Sequence, residues 1–270
     1  MLINPLTNTG NMKQLYAVPW YDCNMNCPHC EIHKIDIEEH FYSFLSKLME
    51  CRTNYSHIIL FGGEPTLYED KLEEIIELGA VDCVSTNLLN LPQSLLESKL
   101  DIATSWNYRR FTPSQYSLWL DNLQQCHNYG LDTLVMITMT RDLLESDFND
   151  FLEVLNDIEY TGCKKFLLEH YIGEDDVNDL AELWIDKVYM NYKGSMTNIL
   201  AEKLKTHLWG CDCSRFDTLQ PTGEITHGCP QYKPIHPLKE CLTCKMSGKC
   251  NPCALLKSCS LPHKTYKRLR

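Results

Sequence analysis

Fifteen cysteines in 270 residues are placed so unevenly that different stretches of the chain must be ordered by different means. Three lie at 23, 27 and 30, eight crowd between 211 and 259, and Cys51, Cys83, Cys126 and Cys163 stand alone between them. A chain of this size does not need disulfides to stabilise a core, and a reducing compartment keeps thiols free, so two dense clusters point to metal. Residues Met1 to Gly10 lack both a basic n-region and an apolar h-region, and nowhere do about 18 apolar residues run uninterrupted. The expectation is therefore a cytoplasmic protein with no membrane partner. A formal charge of -11 argues against tight, sequence-independent binding to a phosphate backbone.

Between the clusters, β-rich runs alternate with amphipathic helical runs, the pattern of β/α units around a parallel sheet. Six runs read as strands: Gln14 to Pro19, His57 to Phe61, Val81 to Ser85, Leu100 to Ser105, Asp132 to Met139 and Lys164 to Glu169. Asp36 with Glu39 and Thr66 with Glu69 have capping-box spacing, Thr112 precedes Pro113 at a first helical position, and Gly79 and Gly130 are placed to end helices. Residues 173 to 209 read as mostly helical. From Trp209 onward Gly, Pro and Cys dominate and apolar periodicity disappears. The expected organisation is an α/β domain over 1–209, a partial barrel-like array, followed by a small Cys-rich domain over 210–270 that needs metal for its order. The four isolated cysteines read as small buried hydrophobes.

Cys23-Asn-Met-Asn-Cys27-Pro-His-Cys30 falls just past the first strand, at the carboxyl end of the sheet, where α/β enzymes place their chemistry. Three thiolates at spacings of four and three can wrap one face of a cubane, leaving one iron open to a substrate or cofactor. Gly62-Gly63-Glu64-Pro65 follows the second strand. Read alone it is a turn; placed directly after a strand and some distance past the Cys loop, it favours ligand binding, because glycines let backbone approach a ligand closely.

These two motifs resemble those of the radical S-adenosylmethionine (SAM) enzymes, whose fold is a partial (β/α)6 TIM-like barrel. The resemblance implies a 4Fe-4S cluster on Cys23, Cys27 and Cys30 whose open iron binds SAM through its amino and carboxylate groups. It also implies reductive cleavage of the sulfonium to a 5'-deoxyadenosyl radical that abstracts hydrogen from substrate. Gly62, Gly63, Glu64 and Pro65 would lie along the methionine end of SAM, with the Glu64 carboxylate accepting from the ammonium. His29 would pack near adenine, Asn87 beside Thr86 and Ser105 beside Asn107 would lie near the ribose, and Arg109 or Arg110 would reach the carboxylate. A flavodoxin- or ferredoxin-type protein would supply the electron.

The eight distal cysteines are Cys211, Cys213, Cys229, Cys241, Cys244, Cys250, Cys253 and Cys259. Their Cys-x2-Cys pairs suit two zinc sites, which alone would describe a zinc-stabilised binding module. Appended to a radical SAM core, the same run resembles the SPASM extension with its two auxiliary 4Fe-4S clusters, making three clusters in all. The resemblance assigns Cys211, Cys213, Cys229 and Cys253 to the nearer cluster and Cys241, Cys244, Cys250 and Cys259 to the farther one, with Gly223 as the hairpin glycine. If Cys211 is not a ligand, the nearer cluster keeps an open iron.

SPASM enzymes mostly modify peptides by crosslinking, epimerisation or oxidation. With 22 residues before Cys23, the expectation is that no winged-helix leader-binding domain precedes the core, so a peptide substrate would need a separate leader-binding protein or a leader-independent site. The alternative is isomerisation or rearrangement of a small amino-acid-like or nucleobase-linked substrate. The basic tail Lys264, Lys267, Arg268 and Arg270 could touch phosphate, or simply be solvated. Thr138, Thr140, Glu169, His170 and Tyr171, at the ends of the fifth and sixth strands, read as rim residues or as lining of a substrate mouth.

Overall fold

The computed structural model describes residues 14–27, 30, 39–170, 178–192, 194, 197–198, 208–209, 216–227 and 266–267. It divides into two compact units, residues 1–102 with 212–247, and residues 103–211 with 248–270.

The first unit begins with β1 (Gln14–Ala17), α1 (Phe41–Cys51), β2 (His57–Leu60), a 3-10 turn over Pro65–Leu67, α2 (Glu69–Glu77), β3 (Cys83–Thr86) and α3 (Gln93–Glu97). β1 and β2 are almost continuously apolar because a parallel sheet covered on both faces offers no solvated side. They pair in parallel with Gln14 opposite His57, and β2 pairs with β3 with Ile59 opposite Cys83. α1 buries Phe44, Leu48 and Cys51, and α2 buries Leu72 and Ile75, each a single helical face. β4 (Asp101–Asn107) spans the boundary between the units.

The second unit continues with α4 (Pro113–Asn128), β5 (Thr133–Met139), α5 (Arg141–Leu144), α6 (Phe148–Tyr160), β6 (Lys165–His170), α7 (Asn178–Asn191) and the short β7 (Thr197–Asn198). β5 and β6 run parallel with Val135 opposite Phe166, and Thr138 stands opposite Glu169 at the strands' ends. α4 turns Trp119, Leu123 and Cys126 inward, and α6 turns in Phe151, Leu155 and Ile158. Two residues each of β8 (Leu208–Trp209) and β11 (Tyr266–Lys267) form a separate antiparallel pair.

The six expected strands are all found, and the α/β class with its repeating β/α order stands. Thr112 and Gln115 form a reciprocal capping box with Pro113 in the first turn, and Gly79 and Gly130 adopt positive φ after their helices. Cys51, Cys83, Cys126 and Cys163 are all buried, and burial pushes the Cys126 thiol up to about 12.

Other expectations are corrected. α1 starts at Phe41 with His40 as its uncapped N-terminal residue, so Glu39 closes no capping box; its carboxylate accepts from the Tyr21 amide instead. Thr66 does not cap α2, because both its amide and its hydroxyl are directed at Glu64. The stretch read as mostly helical over 173–209 contains α7 but also β7 and β8. Beyond Trp209, where no periodicity was visible, β9 (Phe216–Leu219) and β10 (Ile225–His227) form a hairpin whose first strand lies parallel to β1, Gln14 opposite Phe216. Gly223 turns that hairpin at φ +87.

Candidate functional site

At the carboxyl end of β1 the chain leaves the sheet as Val18–Asp22 and enters the Cys loop. Cys23 and Cys30 are half-buried and Cys27 is buried, the Cys30 amide donates to the Cys27 carbonyl at 3.0 Å, and Cys30 packs on Val18 and Tyr21. Burial pushes the Cys23 thiol up, the Met25 amide opposes this by donating to its sulfur at 3.4 Å, and the negative charges of Glu64, Cys27 and Cys30 raise it further. The three thiols therefore lie within electrostatic reach of one another. Among the described residues no three His, Cys, Asp or Glu side chains converge on one ion position. Ligands of a cubane need not converge, since each binds a different iron, and an all-thiol trio in one loop suits that cluster.

The Gly62–Pro65 segment docks on the residues leading into this loop. The Gly63 amide donates to the Trp20 carbonyl at 3.2 Å and the Glu64 amide to the Asp22 carbonyl at 2.8 Å. A Cβ on Gly63 would collide with the carbonyls of Tyr21 and Asp22, and Gly62 sits at φ +138 against the Trp20 carbonyl. Both glycines thus answer a close approach of the chain to itself, a constraint stricter than ligand clearance. Pro65 is buried and opens the 3-10 turn.

Glu64 is 1% exposed. One carboxylate oxygen accepts from the Thr66 amide at 3.0 Å, the Thr66 hydroxyl at 2.8 Å and the Thr86 hydroxyl at 2.6 Å; the other accepts from the Asn87 amide at 2.7 Å. Burial pushes its pKa up, and the hydrogen bonds from Thr86, Asn87 and Thr66 act in the opposite direction. Four internal donors, from Thr66, Thr86 and Asn87, thus engage the carboxylate expected to accept from an incoming ammonium. Thr86 and Asn87 are likewise committed inside: the Asn87 side-chain amide donates to Asn24 Oδ1 at 2.6 Å, and its own oxygen accepts from the Leu89 amide at 2.9 Å. Asn24, between Cys23 and Cys27, is a residue that sequence reasoning missed. The resulting chain Asn24–Asn87–Glu64 ties the Cys loop, the Gly-Gly turn and the end of β3 into one body.

Ser105 and Arg110 meet in the second unit, where the Arg110 guanidinium donates to the Ser105 carbonyl at 2.9 Å and to its hydroxyl. Arg109 has φ +57 and turns outward with its guanidinium over the Tyr108 ring at 5.1 Å, so Arg110 is the arginine held at the end of β4. The Arg110 Nε atom is buried without a hydrogen-bond partner among the described residues. Thr140 caps α5 through the Leu143 amide. His29, Tyr171 and Cys211, Cys213, Cys229, Cys241, Cys244, Cys250, Cys253 and Cys259 lie outside the described residues.

No protein-family model and no curated protein matches the sequence. Solved structures do match. Streptococcus suis SuiB bound to the precursor peptide SuiA is similar with a TM-score of 0.63 at 13% identity, over 83% of this chain and 61% of that one. SuiB bound to S-adenosylmethionine gives 0.60 at 14% identity, over 79% and 59%. The enzyme anSMEcpe with bound AdoMet and Cp18Cys peptide gives 0.56 at 14% identity, over 87% and 81%. The chain spans about three fifths of the length of the SuiB structures. At these identities the likeness is one of fold: with these S-adenosylmethionine- and peptide-bound proteins the chain shares the α/β arrangement of parallel strands and helices that its sequence led us to expect.

Proposed function

We propose that this chain is a radical SAM enzyme that modifies a peptide. The observation that carries the reading is the docking of the three-thiol loop onto the Gly62–Pro65 turn through the Gly63 and Glu64 amides, in a fold shared with two peptide-bound SAM-dependent proteins. Cys23, Cys27 and Cys30 would hold a 4Fe-4S cluster, and Gly62 and Gly63 would line the methionine end of SAM beside it. Bound there, cluster and cofactor supply reductive cleavage of the sulfonium and a 5'-deoxyadenosyl radical for hydrogen abstraction.

The chain's own residues position and exclude. The buried Glu64 carboxylate, held by Thr66, Thr86 and Asn87, fixes the turn. Asn87 carries that order to Asn24 inside the Cys loop. Ser105 and Arg110 at the end of β4 are the candidate polar contacts of the second unit. Cys211, Cys213, Cys229 and Cys253 would hold a nearer auxiliary cluster, and Cys241, Cys244, Cys250 and Cys259 a farther one. A flavodoxin- or ferredoxin-type protein would deliver the electron.

The test is anaerobic reconstitution followed by reduction with SAM present. Wild type should release 5'-deoxyadenosine and the Cys23→Ala/Cys27→Ala/Cys30→Ala variant should not; equal release by both sinks the assignment. Deuterium transfer from labelled peptide into 5'-deoxyadenosine decides the substrate class, and transfer only from a small or nucleobase-linked compound overturns the peptide reading.

A further inference from the structure

The two ends of the Cys loop, Trp20–Asp22 before it and Glu39–Phe41 after it, meet at one place. The Tyr21 amide donates to the Glu39 carboxylate at 3.3 Å, and the Trp20 and Phe41 rings lie 6.4 Å apart. Tyr68 closes the third side, its ring edge-on to Trp20 at 5.1 Å and its hydroxyl donating to Asp22. Lys71, in the first turn of α2, places its ammonium inside this group, 4.9 Å from the Tyr68 centroid, 5.3 Å from Phe41 and 5.7 Å from Trp20. Trp20 is 1% exposed and its indole N–H donates to the Glu64 carbonyl at 2.8 Å, so the box is continuous with the Gly62–Pro65 turn.

We propose that Lys71 is a positioning residue that clasps the base of the Cys loop by cation–π attraction to rings from both of its ends and from α2. A long loop whose ends are free loses little by opening, whereas one whose ends share a cation must give up the cation's contacts with the Trp20 and Phe41 rings together. An ammonium suits this better than an apolar side chain because it attracts all three rings at once, and the Glu39 carboxylate at the rim reinforces it. Through Trp20 the clasp also holds the carbonyls that receive the Gly63 and Glu64 amides. Its bearing on the cluster rests on the reading of Cys23, Cys27 and Cys30 as ligands; its bearing on the loop ends does not.

Two measurements separate these. In the metal-free chain, Lys71→Met keeps the side-chain length and removes the charge, and amide hydrogen exchange at Tyr21, Gly63 and Glu64 should quicken on the order of tenfold while amides of β5 and β6 stay unchanged; Lys71→Arg should restore protection. Rates in Lys71→Met within about twofold of wild type, or no restoration by arginine, overturn the clasp. After anaerobic reconstitution, iron held by the first loop should be lost to a chelator several-fold faster in Lys71→Met than in wild type. Faster exchange with unchanged iron loss overturns the role toward the cluster while leaving the loop clasp standing. A wild-type chain that takes up no iron at this loop sinks the cluster reading, and the exchange arm still decides the clasp.

Discussion

Glu64 is the residue on which the site's rigidity turns. One of its oxygens accepts from the Thr66 backbone amide and the other from that of Asn87. In Glu64→Gln, whichever way the new amide is oriented, its NH2 group must point at one of those N–H donors and leave it unpaired. A buried unmet donor costs about 1–3 kcal/mol, so the variant should unfold at correspondingly lower urea concentration; a loss under about 0.5 kcal/mol would contradict this. Gly63→Ala should be worse for the Cys loop than its one methyl suggests, because the obstacles are the Tyr21 and Asp22 carbonyls, fixed backbone atoms that cannot swing aside. Reconstituted Gly63→Ala should bind less iron than wild type at equal protein concentration, and full occupancy would count against the close packing described. The sequence singled out Gly62 to Pro65, but not what holds Glu64 inside the fold. Its partners Thr86 and Asn87 lie more than twenty residues away, and no local spacing reveals a pairing closed by tertiary structure.

Among the elements, the hairpin of β9 and β10 is part of the first unit's sheet. Tyr55 donates to Asp217 at 2.6 Å, Tyr21 donates to Gln220 at 2.5 Å, the His40 amide donates to the Pro221 carbonyl at 3.0 Å, and a Cβ on Gly223 would stand 3.1 Å from the Ser43 carbonyl. A chain cut before Phe216 should therefore lose cooperative melting by calorimetry, even though all six core strands remain; a sharp transition near the wild-type temperature would refute the dependence. β1, β2 and β5 were legible because strands buried on both faces read as plain apolar runs, such as His57-Ile-Ile-Leu60. Of the hairpin only its turn at Gly223 was marked, by resemblance; its strands were not, since four-residue Phe216–Leu219 sits among glycine, proline and cysteine and is defined by a partner at the far side of the sequence. At the start of β2, burial lowers the pKa of His57, with Asp82 and Asp101 opposing and Arg52 reinforcing the shift. The unfolded chain therefore binds a proton at His57 before the folded one does, and stability present above about pH 6.5 should fall as pH drops below it. Urea midpoints at pH 7.5 and 5.5 should differ less in His57→Gln than in wild type, and an unchanged difference would exonerate the imidazole.

For the whole molecule the measurable quantity is metal. Three four-iron clusters would give about twelve irons per chain and a brown, anaerobically purified protein with broad absorbance near 400 nm. Replacing Cys23, Cys27 and Cys30 should remove about a third of that iron, and replacing Cys241 with Cys244 should remove iron while sparing reductive cleavage of SAM. A colourless, zinc-loaded chain would overturn all three. Among the described residues no helix is long and apolar enough to cross a membrane. The pairing of β1 with β9 has an outcome during synthesis. β1 emerges from the ribosome long before β9, one of its two hydrogen-bonded neighbours. Until then an apolar strand presents an open edge to other nascent chains, so the cell must either translate this protein quickly or shield the waiting strand with a chaperone.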